Sequence, residues 1–435
     1  MSKDPSMEQT ASGLMTTQGI DSDLIFLEKD IITLQELAKK VRHYAEQPLE
    51  VEKSKLWTAH NDLNGGRPLV FIDPENGWNE IITQDQIECT NPLARVWEMH
   101  LRKELFWVEG MKDDKVIQPF FDVPYSYSDT GWGLMETVLY SEGVVDGAFI
   151  YDSPIKDYTR DFPGLKFPEI KVDYKKTEKI LNLARSIFDG ILEVRMRGIW
   201  WWSLGMTWDF IKLRGLTNFM MDMYDNPDGV HALMGFLRDG FMKKLEFLED
   251  HNLLADNTGG AYVGSGGFGW TTQLPVNGFN PKKIRTKDMW GFTESQETVG
   301  IDPVMFADFI FPYQLDIMER FGLNCYGCCE PIDPRWDTVK KFPNLRRIST
   351  SPWADRGKMK AYLGRNYVMS LKPMPTPLAM NEMDEDDVRK TVRADLKSTL
   401  GCNVEYIMKD NHTLGKNPEN ATRWVEIVRE EIDRL

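Results

Sequence analysis

Apolar residues at Leu24, Phe26, Leu27, Ile31, Leu34, Leu37, Ala38 and Val41 recur at mixed three- and four-residue spacing, which predicts an amphipathic helix over 24–44. A short apolar run at 68–73, closed by Pro74 and Gly77, predicts a buried strand. Further helices announce their starts. Asn226-Pro227, Asp302-Pro303, Asp333-Pro334 and Asn417-Pro418 each set a capping side chain before a proline whose missing N–H costs nothing in a first turn. In the last third, apolar runs at 323–326, 345–349, 366–371 and 404–408 alternate with helical patterns starting near 334, 355, 386 and 418. That alternation needs crossover connections and therefore a parallel sheet. Four such units, with room upstream for four more, predict a (β/α)8 TIM barrel; a doubly wound sheet is the alternative. Residues 1–50 are read as a tail and helix, and 51–435 as one barrel domain.

Composition narrows the function. Of 435 residues, 52 are Lys or Arg and 67 are Asp or Glu, a formal charge of −15. That balance argues against a duplex-binding surface, which needs clustered cations, so no nucleic-acid partner is expected. No run of about 18 apolar residues is present, so no membrane span is expected. The polar stretch 1–23 lacks a charged-then-apolar leader pattern. Five cysteines, three of them between 325 and 329, make a poor disulfide framework and a better metal or thiol site. A reducing cytoplasm is the expected setting.

In a parallel barrel the reactive groups follow the strands. Those positions hold Gly327-Cys328-Cys329-Glu330, Ser351-Pro352-Trp353, Lys372-Pro373 and Asp410-Asn411-His412, with Glu294 and Glu297 upstream. Thiolate, imidazole and carboxylate suit zinc with an open fourth position, so Cys328, Cys329, His412 and Glu297 are the candidate metal ligands. Cys325 and Cys328 also form Cys-x-x-Cys, but without the helix N-terminus that activates a redox thiol. Gly264-x-Gly266-x-x-Gly269 matches a dinucleotide fingerprint, yet no amphipathic helix follows, and a flexible active-site loop is the better reading. Trp200-Trp201-Trp202 cannot all face one core, so at least one is expected at a cavity or interface, which would suit an apolar or aromatic ligand.

The run from Leu323 to Ile332, the segment His412-Thr413-Leu414-Gly415-x-x-Pro418-Glu419-Asn420, Asn226-Pro227-Asp228 and Asp302-Pro303-x-x-Phe306-x-x-Phe309-x-x-Pro312-Tyr313 together resemble the uroporphyrinogen decarboxylase superfamily. The likeness covers about 190–435 well and 50–190 loosely. It implies a TIM barrel and two activities. The decarboxylase branch holds its substrate with arginines of an N-terminal segment. The segment from Arg67 to Trp78 keeps only the leading Arg-Pro of that pattern. The other branch comprises zinc-dependent, corrinoid-linked methyltransferases with a His-x-Cys-Gly pattern; aligned on Gly327, this chain has Asn324 and Tyr326 at the His and Cys positions.

The resemblance implies methyl transfer between a small methylated donor, such as a methoxylated aromatic, and cobalamin carried by a corrinoid protein, with zinc as Lewis acid. On that reading Tyr326 and Glu294 are catalytic, and Trp353, Lys372 and Asn324 bind substrate. The alternatives are a metal-independent lyase, with Lys372 and Arg285 on a carboxylate, and a non-catalytic ligand-binding barrel. Oligomeric state is left open, a homodimer included.

Overall fold

The computed structural model describes residues 24–140 and 149–435. Eight strands run parallel in two groups. We label them β1 (Leu69–Ile72), β2 (Phe120–Val123), β3 (Glu193–Met196), β4 (Trp290–Thr293), β5 (Leu323–Tyr326), β6 (Leu345–Thr350), β7 (Val368–Leu371) and β8 (Asn403–Met408). Six form one sheet in the order β1-β8-β7-β6-β5-β4, and β2 pairs with β3. Asp114 N–H donates to Val70 O at 2.8 Å, just before β2, and Leu204 N–H donates to Phe292 O at 3.0 Å, just after β3. Segments flanking the pair thus address both edges of the larger sheet. Two short antiparallel ribbons, Tyr127–Asp129 with Ile170–Val172 and Thr137–Tyr140 with Phe149–Asp152, branch from the chain between β2 and β3.

The strands of the last third lie where their apolar runs predict, because strands β1, β4, β5, β7 and β8 are buried on both faces and must be apolar almost throughout. Helices Arg356–Leu363, Glu385–Ser398 and Glu419–Ile432 make or follow the crossovers. Two of the four proline-marked caps form: Asn226 accepts from Gly229 N and Asp302 from Val304 N. Asp333 instead accepts from Asp355 N, and the helix after Pro418 has no side-chain cap. The N-terminal helix spans Glu28–Ala45, and the tail expected over 1–23 lies outside the described residues. A second helix spans Pro48–Asn61, across the expected boundary at 50/51.

Along each strand alternate residues face the helices or the opposite side. That opposite face carries Cys325, Arg347, Glu405 and Ile407, and the glycine-rich segment at 263–269 packs onto it, fully buried. Gly264 and Gly267 have φ of +68° and +89°; a Cβ would lie 2.8 Å from the Cys325 Cβ and 2.9 Å from the Glu405 carboxylate respectively. The expectation of a flexible loop here is corrected: the glycines let backbone fill a space that side chains could not. Beneath it, Arg347 Nε sits 3.0 Å from Glu405 Oε1, facing off-axis for a hydrogen bond, so the contact is chiefly coulombic. His60 Nε2 lies 3.1 Å from Glu405 Oε2, and Arg347 donates to Asn61 Oδ1 at 2.6 Å. The Arg347 guanidinium, first, holds Glu405 at about 2 against the opposing effect of burial.

Candidate active site

The turn after β5 is built by Gly327, whose φ of +89° turns the chain sharply. Ser349 Oγ donates to Cys328 O at 2.8 Å, and the buried Glu330 carboxylate accepts from Cys328 N at 2.9 Å and from Ser295 N at 2.8 Å. Glu330 therefore clamps the ends of β4 and β5 together. The turn carries two thiols 3.7 Å apart. Ser265 Oγ donates to Cys328 Sγ at 3.2 Å, and Cys329 Sγ lies 3.6 Å from Asp410 Oδ2. Accepting from the Cys329 thiol, with Lys409 close by, pulls Cys328 down toward the thiolate; the same contact, aided by burial, pushes Cys329 up.

Next to the thiols lie three carboxyls. Ser203 Oγ donates to Glu294 Oε1 at 3.0 Å, Gln296 N to Oε2 at 3.0 Å, and Thr207 Oγ1 to Glu297 Oε2 at 2.6 Å. Burial raises Glu294 well above the ordinary carboxylate range, and the charges of Glu297 and Glu330 add to it. Burial also raises Glu297 against the Thr207 hydrogen bond. On the other flank Lys409 Nζ lies 3.3 Å from Glu75 Oε1, and burial lifts Glu75 to about 7.

Strand alternation decides the remaining expected residues. Because Cys325 faces Gly264, its neighbours must face the helices. Asn324 Nδ2 is spent on Met318 O and Pro343 O, while Tyr326 is buried against Phe342 at 5.0 Å and Phe306 at 6.3 Å. Neither lines the cavity described below. Trp353 is 67 % exposed and walls nothing. Lys372 is buried on the Ser370 hydroxyl at 2.7 Å, and Arg285 is paired with Asp288 at 2.7 Å, so the lyase reading has only Lys372 without a carboxylate partner.

The expected metal set also separates. Cys328 and Cys329 are together, but His412 is exposed and meets Asn76 at 3.4 Å, while Glu297 is engaged by Thr207. Among the described residues no three His, Cys, Asp or Glu side chains are grouped to hold a metal ion, so the proposed zinc ligands do not fit one ion in this arrangement.

A cavity of about 430 Å³ opens beside this rim, between β1, the β2–β3 pair and β4. Trp200, Trp201 and Trp202 all line it, with Phe71, Tyr262 and Trp290 among the other aromatic walls. Trp200 Nε1 donates to Leu253 O at 2.9 Å, which fixes its ring. Ser203, the next residue after the tryptophans, is the one that binds Glu294, so the cavity wall and this buried carboxyl, which does not itself line the cavity, are joined through a short segment. Its polar residues include Asp122, Arg195 and Arg197. None of these three follows from the apolar pattern; the signal was the alternation Glu193-Val194-Arg195-Met196-Arg197, whose polar face meets the cavity.

No family model and no curated protein matches the chain. Among solved structures, a methyltransferase from Methanosarcina mazei superposes with a TM-score of 0.35 at 10% identity, over 61% of this chain and 72% of that one. A superposition that loose carries no argument about activity. No described helix is long and apolar enough to cross a membrane.

Proposed function

We propose that the chain is a methyltransferase on a (β/α)8 barrel, taking a methyl group from a small methylated aromatic compound and passing it to the cobalt of a separate corrinoid protein. Barrel closure is supported by eight described strands in two internally parallel groups and by the backbone hydrogen bonds that tie the segments around β2 and β3 to β1 and β4. The aromatic walls support the substrate class.

The observation that carries the reading is a cavity walled by Trp200, Trp201 and Trp202, followed in the chain by Ser203, which holds the buried Glu294 carboxyl that burial raises well above the ordinary range. A methyl ether is inert at neutral pH because its oxygen leaves with the bonding pair. Proton donation to that oxygen as the carbon–oxygen bond breaks removes the charge, and a positioned acid contributes about 10²–10⁴-fold. Glu294 supplies the proton, and Ser203 and Gln296 N hold it in place. A reduced cobalt centre on the docked partner supplies the nucleophile for the methyl carbon. Zinc is left out of these steps because its expected ligands do not converge.

The test is anaerobic incubation with cob(I)alamin and a panel of methoxylated aromatics, followed by absorbance. Methylcobalamin should form with one phenol released per methyl, and Glu294→Gln should slow it about 100-fold or more. A compound that binds yet yields no methylcobalamin overturns the reading.

A further inference from the structure

At the Asp122 end of the cavity two guanidiniums meet one carboxylate, while Lys115, Glu104 and Asp73 carry the wall's other charges. Arg195 forms a two-pronged pair with Asp122, Nε to Oδ1 at 2.7 Å and an amino nitrogen to Oδ2 at 3.0 Å, and its guanidinium lies 3.7 Å over the Phe120 ring. Both oxygens of Asp122 are then used. Arg197 is left with a 3.5 Å approach to the same Oδ2 and a 2.7 Å hydrogen bond to the neutral carbonyl of Asp256. The Asp256 carboxylate is exposed and already accepts from the Thr258 N–H and hydroxyl at 2.7 Å each. Two guanidiniums therefore share one dedicated carboxylate.

The other charges on the cavity do not repair this. Lys115 is paired with Glu104 at 2.5 Å, and Asp73 accepts from the Trp78 indole at 3.0 Å and the Glu75 N–H. Burial lowers His100 and keeps its ring neutral. Burial also lowers Arg197, which marks the cost of holding that charge away from water. A guanidinium with free donors in a shielded site recognises a planar oxyanion by two parallel hydrogen bonds. Trp200 to Trp202, adjoining Arg197 in sequence and lining the same space, offer flat apolar walls for the rest of the ligand.

We infer that the cavity binds an aromatic carboxylate, with the carboxylate on Arg197 and the ring among Trp200, Trp201 and Trp202. This rests on the methyl-transfer reading only for the claim that the ligand is the substrate; the anion subsite stands on the charge arrangement alone. Calorimetry with 4-methoxybenzoate and the neutral 4-methoxybenzyl alcohol separates the two. The wild-type chain should bind the acid about tenfold more tightly or better, as charged hydrogen bonds outweigh neutral ones. Arg197→Met should erase that preference while leaving alcohol binding in place. Asp122→Asn, which removes the competing carboxylate, should tighten acid binding further, a gain that misfolding cannot mimic. Equal affinity for acid and alcohol in the wild type, an unchanged preference in Arg197→Met, or no binding of either compound overturns the proposal. Arg197-dependent acid binding without methyl release upholds the subsite and sinks only the methyl-transfer reading.

Discussion

Removing the Glu405 carboxylate should destabilise the chain more than its distance from the cavity suggests. Glu405 is fully buried between Arg347 and His60, and sits at about 2 where an ordinary glutamate has 4.5. That difference corresponds to about 3 kcal/mol of stability at neutral pH. Breaking a buried pair by removing one partner costs about 3–5 kcal/mol, because Arg347 would remain charged and uncompensated, so the two routes agree. The sign is that of a depressed carboxylate: the contribution is complete above 4.5 and is lost as pH falls toward about 2. Glu405→Gln should therefore lose about 3 kcal/mol in urea unfolding at pH 7, or roughly 3 °C in Tm for a chain of this size, and about half that at pH 3. Circular dichroism at both pH values measures it. Arg347→Met combined with Glu405→Gln should cost less than Glu405→Gln alone, since no charge is stranded. A loss below about 1 kcal/mol at pH 7, or a gap that does not narrow in acid, would show that the pair is not the electrostatic unit described.

Gly267→Ala should lose about 2 kcal/mol in thermal unfolding, because its Cβ would sit 2.9 Å from Glu405 and 3.0 Å from Arg347 at a φ of +89°. Lys409→Met removes a cation near Cys328, so less thiolate is present and iodoacetamide labelling at Cys328, followed by peptide mass mapping, should slow. Methyl release should fall as pH rises through the elevated Glu294 value, since only the protonated form donates; a rate that climbs through neutral pH contradicts the acid role.

The sheet was legible in the last third because β5 to β8 are buried on both faces and their apolar runs stand out from polar crossovers. β2 and β3 were not, for a physical reason. Their inward residues Asp122 and Arg195, and Arg197 just after β3, face a cavity instead of a core, so the apolar signature is diluted there. Reading the strand ends located Cys328, Cys329, Glu294 and Glu297 on neighbouring turns. It could not foresee that Asn324 and Tyr326 point the other way, because sequence does not say which member of an alternating pair faces inward until a partner such as Gly264 fixes Cys325. His412 lies two residues past Asp410, the residue that meets Cys329, yet its ring is turned outward to Asn76.

The buried Arg347–Glu405 pair and the glycine segment above it divide the molecule's labour by position. Stability is anchored under β5 to β8, whereas the wall of the proposed substrate cavity is written on β2, β3 and the three tryptophans. Substitutions that re-tailor the ligand wall can then accumulate without loosening the anchor, and new substrate ranges become reachable by small sequence steps confined to one flank.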